Sequence, residues 1–259
     1  MRTFYLEPEA WQEPYQLTGQ EAHHLIKVVR VRQGEQVRVL DGRGREGIFT
    51  VGTCSKTTVD LIENNIIHHP APTSKAIIAV GWGKAVRRSW LLEKAVELEA
   101  HAIWLWQADR SQSTVPSDIK DTWQAQMIAG AKQSKNPWLP ELKTLTGGVE
   151  DLLEHGKSCQ SLHPTQSTHT KLYDRAFMLW EGEEPEELLG TDHLGLEGTT
   201  LYIVGPEGGF SPREVDVLRK GDIQPMSLGQ RVLRWETAAV LTMGLHWWAS
   251  QGIQKTSSL

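Results

Sequence analysis

The residues best suited to chemistry lie in two short runs near the C-terminus, Gly205-Pro206-Glu207-Gly208-Gly209-Phe210 and Ser227-Leu228-Gly229-Gln230-Arg231-Val232-Leu233-Arg234. In the first, glycines allow backbone to approach a small ligand closely, and Pro206 stiffens the turn. Glu207 inside this loop disfavours a polyphosphate and suits a cationic or polar ligand. The run has neither the Gly-Lys-Ser/Thr ending of a P-loop nor a GxGxxG dinucleotide fingerprint. In the second run, apolar residues alternate with arginines, and Arg231 and Arg234 stand three apart where a helix begins. Cations at a helix N-terminus oppose its dipole, so stability alone does not explain them. One reading is contact with an anion: a phosphate, a carboxylate or a developing oxyanion. The other is an ion pair with Glu207, Glu214 or Glu236. A tight strand-to-helix turn also favours glycine for its own sake.

The elements around these runs should position them. Thr200–Val204 reads as a buried strand that presents Gly205 at its carboxyl edge, where open α/β sheets bind ligands. Ser211 with Glu214 makes a capping box, and Pro212 suits the first helical position. Upstream, Ala76–Val80, Ala102–Trp106, Leu142–Leu145 and Arg175–Trp180 read as strands. Helices are expected over Arg87–Ala100, Ser117–Ser134, Val149–His155, Glu214–Lys220 and Trp235–Ala249. Strands alternating with helices predict an α/β domain with a mostly parallel sheet. Residues 156–171, rich in Ser, Thr, His and Gln, predict a loop. Residues 1–70 read instead as a small β-barrel. Val37–Leu40, Gly47–Val51 and Thr57–Ile62 are its strands, and Asp41-Gly42-Arg43-Gly44 is a hairpin signal. A short helix over Glu21–Val29 carries Ala22, Leu25, Ile26 and Val29 on one face. Pro70-Ala71-Pro72-Thr73 reads as a linker, so the expected domains are 1–70 and 71–259.

The chain is long enough, at 259 residues, to bury a sizeable core. Its net charge of −5 argues against a generic nucleic-acid coat. The charge is nevertheless segregated. Residues 23–45 carry Lys27, Arg30, Arg32, Arg38, Arg43 and Arg45 against Glu35 and Asp41, and Lys84, Arg87 and Arg88 follow Trp82. The acidic surplus includes Glu181, Glu183, Glu184, Glu186 and Glu187. A cationic face for phosphates and a solvated surface with chance clustering both fit. No run approaches the length of a membrane span, and the N-terminus has no signal-peptide core. Cys54 and Cys159 cannot make a disulfide framework, which points to a reducing, cytoplasmic setting. The pairs His23-His24 and His68-His69 diverge in direction, and no metal site is expected.

The ordered runs GPEGGFSPREVD and SLGQRVLRWETA resemble the signature of the SPOUT-class methyltransferases. In particular they resemble the bacterial family that methylates N3 of the uracil at position 1498 of 16S ribosomal RNA. His24–Arg30, Gly34–Val37 and Asp41-Gly42 are similar to that family's PUA-like RNA-binding barrel. Lys94–Leu98, Asp109-Arg110-Ser111 and Gln133-Ser134 match its later motifs, so the resemblance spans nearly the whole chain. Departures are Glu99 and Asn136, where the family usually has glycine and arginine, Trp235 in place of a small polar residue, and the polar insert 156–171. The resemblance implies a trefoil-knot α/β domain with a parallel sheet, homodimers with the active site at their interface, and S-adenosylmethionine bound in the knot. The cofactor walls would be Leu179, Trp180 and Glu181, then Gly205, Pro206, Glu207, Gly208 and Gly209, then Leu228, Gly229, Val232 and Leu233. Arg234 would stabilise charge on the uracil, and Glu236 would orient it or help accept the N3 proton. Arg2, His24, Lys27, Arg30, Arg32, Arg87 and Arg88 would hold the RNA of the small ribosomal subunit. Three other readings stay open: a non-catalytic RNA-binding or assembly module, a methyltransferase acting on another RNA uridine, and a nucleotide-dependent enzyme of another class.

Overall fold

A computed structural model describes residues 1–83, 85–161, 167–182 and 187–256, without side-chain detail at 85–86, 158–161, 167–170 and 252–256. Lys84, Glu183, Glu184 and Glu186 of the charge pattern, and the side chain of Cys159, lie outside the described residues. The chain divides into two units, Met1–Ala71 with Ala125–Leu139, and Pro72–Gln124 with Pro140–Leu259.

The first unit comprises β1 (Arg2–Tyr5), β2 (Gln16–Thr18), α1 (Gly19–His23), a π-helical turn (His24–Val29), β3 (Gln36–Leu40), β4 (Arg45–Cys54) and β5 (Thr58–His68). They form one sheet in the order β1-β3-β4-β5-β2, antiparallel except for β1 with β3. Val37, Val39, Phe49, Val51, Val59 and Leu61 alternate onto one face and pack on Phe4, Leu17, Ala22 and Leu25. Two register shifts in the β4–β5 pair, at Ile48/Phe49 and Val51/Cys54, bend it. The hairpin signal at 41–44 is realised by a fully buried carboxylate. Asp41 accepts from the backbone N–H of Arg43 (2.7 Å) and Arg45 (2.9 Å) and from Arg45 Nε (2.6 Å). Pro137 accepts from Gly44 N–H and Gly42 accepts from Leu139 N–H, both at 2.9 Å, which ties the segment 125–139 to this unit. The helix expected over 21–29 is split instead. The α-helical part ends at His23, and the π-helical turn closes at Arg30 in the left-handed region (φ 58°).

The second unit contains β6 (Ser74–Gly81), α2 (Ala85–Glu97), β7 (Ala102–Trp106), the start of α3 (Asp121–Ser134), β8 (Glu141–Leu145), α4 (Gly148–His155), β9 (Lys157–Ser161), β10 (Ser167–Lys171), β11 (Arg175–Leu179), β12 (Glu187–Leu188), β13 (Gly198–Val204), α5 (Pro212–Lys220), β14 (Gln224–Ser227) and α6 (Trp235–Thr256). Seven strands make a wholly parallel sheet in the order β12-β14-β11-β13-β6-β7-β8. Helices cover both faces of such a sheet, so its strands are near-continuous apolar runs, as in the fully buried Ala102–Trp106. The polar stretch 156–171 is not simply a loop: β9 and β10 pair antiparallel across it. Its threonines and serines lack an apolar face but suit an extended backbone. β14 was not legible either, because Pro225 within it argues against a strand. It forms by lying between β11 and β12.

Candidate active site

β14, β11, β13 and β6 are successive parallel neighbours, so their carboxyl ends meet along one edge. That edge holds a cleft of about 520 Å³. Its lining is Leu179, Trp180 and Glu181 after β11, Val204–Phe210 between β13 and α5, and Val232–Trp235 with Ala238 at the start of α6. Arg87 of α2 and Arg110 after β7 complete it. The backbone of the first glycine loop sits directly on the end of β6, where a Cβ on Gly81 would stand 2.5 Å from Pro206 N. Gly209 takes φ +68°, a conformation that disfavours other residues.

The start of α5 is closed by its own side chains. Ser211 Oγ accepts from Glu214 N–H (3.2 Å), and the buried Glu214 carboxylate accepts from the N–H groups of Ser211 and Asp109, both at 2.7 Å. Asp109 in turn accepts from Arg213 Nη2 (2.8 Å) and Ser211 Oγ (2.5 Å). These hydrogen bonds, that of Arg213 first, hold the Asp109 carboxyl below the usual carboxylate range. The helix dipole is therefore already met by carboxylates, and no phosphate is needed there.

The second loop is tied down by Leu233 N–H donating to Glu181 Oε1 (3.0 Å), and by Gly229 N–H donating to Ser227 Oγ (3.1 Å). Leu228 and Gly229, expected as cofactor walls, do not line the cleft; they shape the turn that delivers Val232 and Leu233 to it. Arg231 and Arg234 are both exposed, and only Arg234 lines the cleft. Of the three carboxylates in the ion-pair alternative, Glu214 and Glu236 are engaged elsewhere, and Glu207 lines the same cleft as Arg234. Glu236 is buried off the cleft and accepts from Arg87 Nη1 (2.6 Å), so it orients Arg87 rather than Arg234.

Arg88 departs from the RNA-binding expectation. It is 8% exposed, its guanidinium lies 3.6 Å from the Trp82 ring centre, and Nη1 donates to Gly83 O (2.8 Å). Burial lowers its pKa, and the group braces the turn after β6. In the first unit, Arg2, Lys27, Arg30 and Arg32 are exposed, while His24 is half-buried, edge-on to Phe4 at 6.2 Å. That unit has a larger cleft of about 650 Å³, but its Glu21 is already bonded to Lys132 Nζ (2.5 Å) and Tyr5 N–H (2.9 Å). Sequence reasoning missed Arg110, which donates to Gly208 O (2.9 Å); its motif after a strand was the available signal. It also missed Gly81, whose role depends on a loop 125 residues away.

The cleft lining suits a cationic nucleoside. Leu179, Val204 and Leu233 offer apolar contact, Glu181 and Glu207 add acidic residues to the wall, and among the described residues the cations that line it are Arg87, Arg110 and Arg234. A family profile described as RNA methyltransferase domain matches residues 69–247, and one described as RNA methyltransferase PUA domain matches residues 17–63. The chain belongs to the RNA methyltransferase domain family. Ribosomal RNA small subunit methyltransferase E of Bacillus subtilis (strain 168) is 26% identical over 238 residues, 88% of each chain. The protein of the same name from Mycobacterium bovis is 27% identical over 230 residues, 87% of this chain and 83% of the relative. A crystal structure of Ribosomal RNA small subunit methyltransferase E from Neisseria gonorrhoeae, bound to S-adenosyl methionine, superposes with a TM-score of 0.72 at 23% identity over 98% of both chains. The fold of this RNA methyltransferase is accordingly the SPOUT-class α/β domain preceded by a PUA-like barrel. Among its described residues no helix is long and apolar enough to cross a membrane, and no His, Cys, Asp or Glu cluster is placed to hold a metal ion.

Proposed function

We propose that this chain is an S-adenosylmethionine-dependent methyltransferase of small-subunit ribosomal RNA, acting on N3 of the uridine at position 1498 of 16S RNA. The observation that carries this reading is one cleft lined by two glycine-containing loops, Glu181, Glu207 and the exposed Arg234. Bound there, S-adenosylmethionine supplies an electrophilic methyl group on a positively charged sulfur. Leu179–Glu181, Gly205–Gly209, Val232 and Leu233 hold it. The N3 lone pair of uracil becomes available as its proton is lost, here to water in the open cleft. Charge then spreads onto the ring and its carbonyl oxygens. Arg234, always charged and able to donate two parallel hydrogen bonds, stabilises that charge.

The exposed Arg2, Lys27, Arg30 and Arg32 of the first unit bind the RNA backbone, with His24 beside them. The target base is splayed from its stack to reach the cleft. The enzyme works in the cytoplasm as a homodimer. In support, α6 leaves Leu241 and Trp248 39% and 67% exposed, and Trp90 on α2 is 44% exposed. The test is incubation of purified small subunits from a strain lacking this activity with the protein and labelled cofactor, followed by mass mapping of the RNA. One methyl group at N3 of uridine 1498 is expected. Label at another nucleotide, or none, overturns the assignment.

A further inference from the structure

We infer that Arg87 is a second substrate-contacting cation of the methyl-transfer cleft, and that Glu236 is the positioning residue that holds it there. This rests on the reading above. Arg87 lies in the first turn of α2 and lines the same cleft as Arg234. Its Nη1 donates to Glu236 Oε1 at 2.6 Å, and Glu236 is the second residue of α6, 8% exposed. Glu236 Oε2 is buried with no hydrogen-bond partner among the described residues. The carboxylate also meets the N-terminal dipole of α6, and its hydrogen-bond partner among the described residues is an arginine on the cleft wall. The guanidinium is a planar fork of five N–H donors; Glu236 engages one donor and fixes the plane.

The chemistry asks for two cations. In deprotonated uracil the charge is shared by N3 and by two carbonyl oxygens on opposite sides of it. One guanidinium cannot flank both oxygens, and the cleft offers two, Arg234 before α6 and Arg87 in the first turn of α2. The ion pair also suits a developing charge better than a standing one. An arginine largely neutralised by a buried carboxylate is a poor phosphate ligand, but it keeps directed donors for charge that appears only during reaction. The other charged groups lining the cleft are Arg110, Glu181 and Glu207.

The experiment measures single-turnover methyl transfer to purified small subunits against pH for the wild type, R87A, R87K and E236Q. Affinities for S-adenosylhomocysteine and for the subunit are measured beside it. R87A is expected to bind S-adenosylhomocysteine as the wild type does and to lose about 100-fold in rate. The acid limb of its profile should move up by about one pH unit, because the N3 anion has lost a stabilising partner. R87K should recover part of the rate, and E236Q, which frees the Arg87 fork but removes a neutralising negative charge, should lose rate with the acid limb moved down instead of up, which also covers misfolding of R87A. A wild-type profile in R87A and E236Q overturns the inference. So does a rate loss that excess subunit restores with the acid limb unmoved, since that is the behaviour of a backbone contact. A wild type that transfers no methyl group refutes the proposed function itself, whereas an active wild type with unmoved variant profiles refutes only the role of Arg87.

Discussion

Gly81 and Pro206 touch backbone to backbone: a Cβ on Gly81 would stand 2.5 Å from the nitrogen of Pro206 and 2.6 Å from its Cδ. The contact joins the end of β6 to the loop after β13, adjacent parallel strands that start far apart in the chain. Backbone cannot yield as the end of a flexible side chain can, so the glycine loop is set by this contact. Gly81→Ala should push the loop outward, cost about 1–3 kcal/mol of stability and weaken S-adenosylhomocysteine about tenfold or more. Calorimetric titration with thermal unfolding reads both; unchanged affinity would show that the loop position does not matter.

Arg234 separates binding from chemistry. It lines the cleft from an exposed position, while the two loops are the proposed cofactor walls. Arg234→Ala should leave S-adenosylhomocysteine affinity intact and lower methyl transfer about 100- to 1,000-fold. Tritiated cofactor with small subunits as acceptor measures it, and full activity in the variant would remove Arg234 from the mechanism.

The exposed cations of the first unit should act through phosphate charge. Replacing Lys27 and Arg30 together with alanine should lower RNA affinity and reduce the slope of log affinity against log salt by about 1.5. Filter binding across a salt series tests this, and an unmoved slope would exclude both residues from the backbone contact.

Glu99 occupies a place where the resembling family has glycine, and it keeps the glycine-like geometry with φ +55°. The turn after α2 uses this residue to donate its N–H to Val96 O at 3.2 Å. A side chain in the left-handed region costs about 1 kcal/mol or more. Glu99→Gly should therefore raise the midpoint of urea unfolding without changing cofactor affinity.

His246 should make stability pH-dependent. Ser74 Oγ donates to Leu196 O (2.8 Å), so it accepts from His246 Nε2–H (3.1 Å), and the bare Nδ1 accepts from the Tyr202 hydroxyl (3.0 Å). Burial first, then Arg175, lowers the His246 pKa to about 4. The unfolded chain, near 6.5, binds the proton sooner as pH falls. The stabilisation is thus complete above about pH 6.5 and is lost as pH drops toward 4, about 3 kcal/mol in all. The stability advantage of the wild type over His246→Gln should shrink by about 2 kcal/mol between pH 7 and 4.5. A constant difference would show that His246 is not held neutral.

What the sequence determined by itself is local. The Ser211–Glu214 capping box, the Asp41–Gly44 hairpin and the alternating or continuous apolar runs all rest on contacts within a few residues, so their residue types announce them. The two loops around Gly208 and Val232 were legible for the same reason as the walls of one cleft, and their match to a family supplied the proposed chemistry. Everything that depended on distant partners was decided by the tertiary structure. Pro225 sits in a strand because β11 and β12 flank it. Ala125–Leu139 groups with the first unit because Trp138 packs on Gly44. Arg88 and Arg87 are adjacent cations in sequence, yet one is buried on Trp82 and the other is held at the cleft by Glu236, 149 residues away. A charge in the sequence carries no record of what will neutralise it; only packing brings the carboxylate within hydrogen-bond reach.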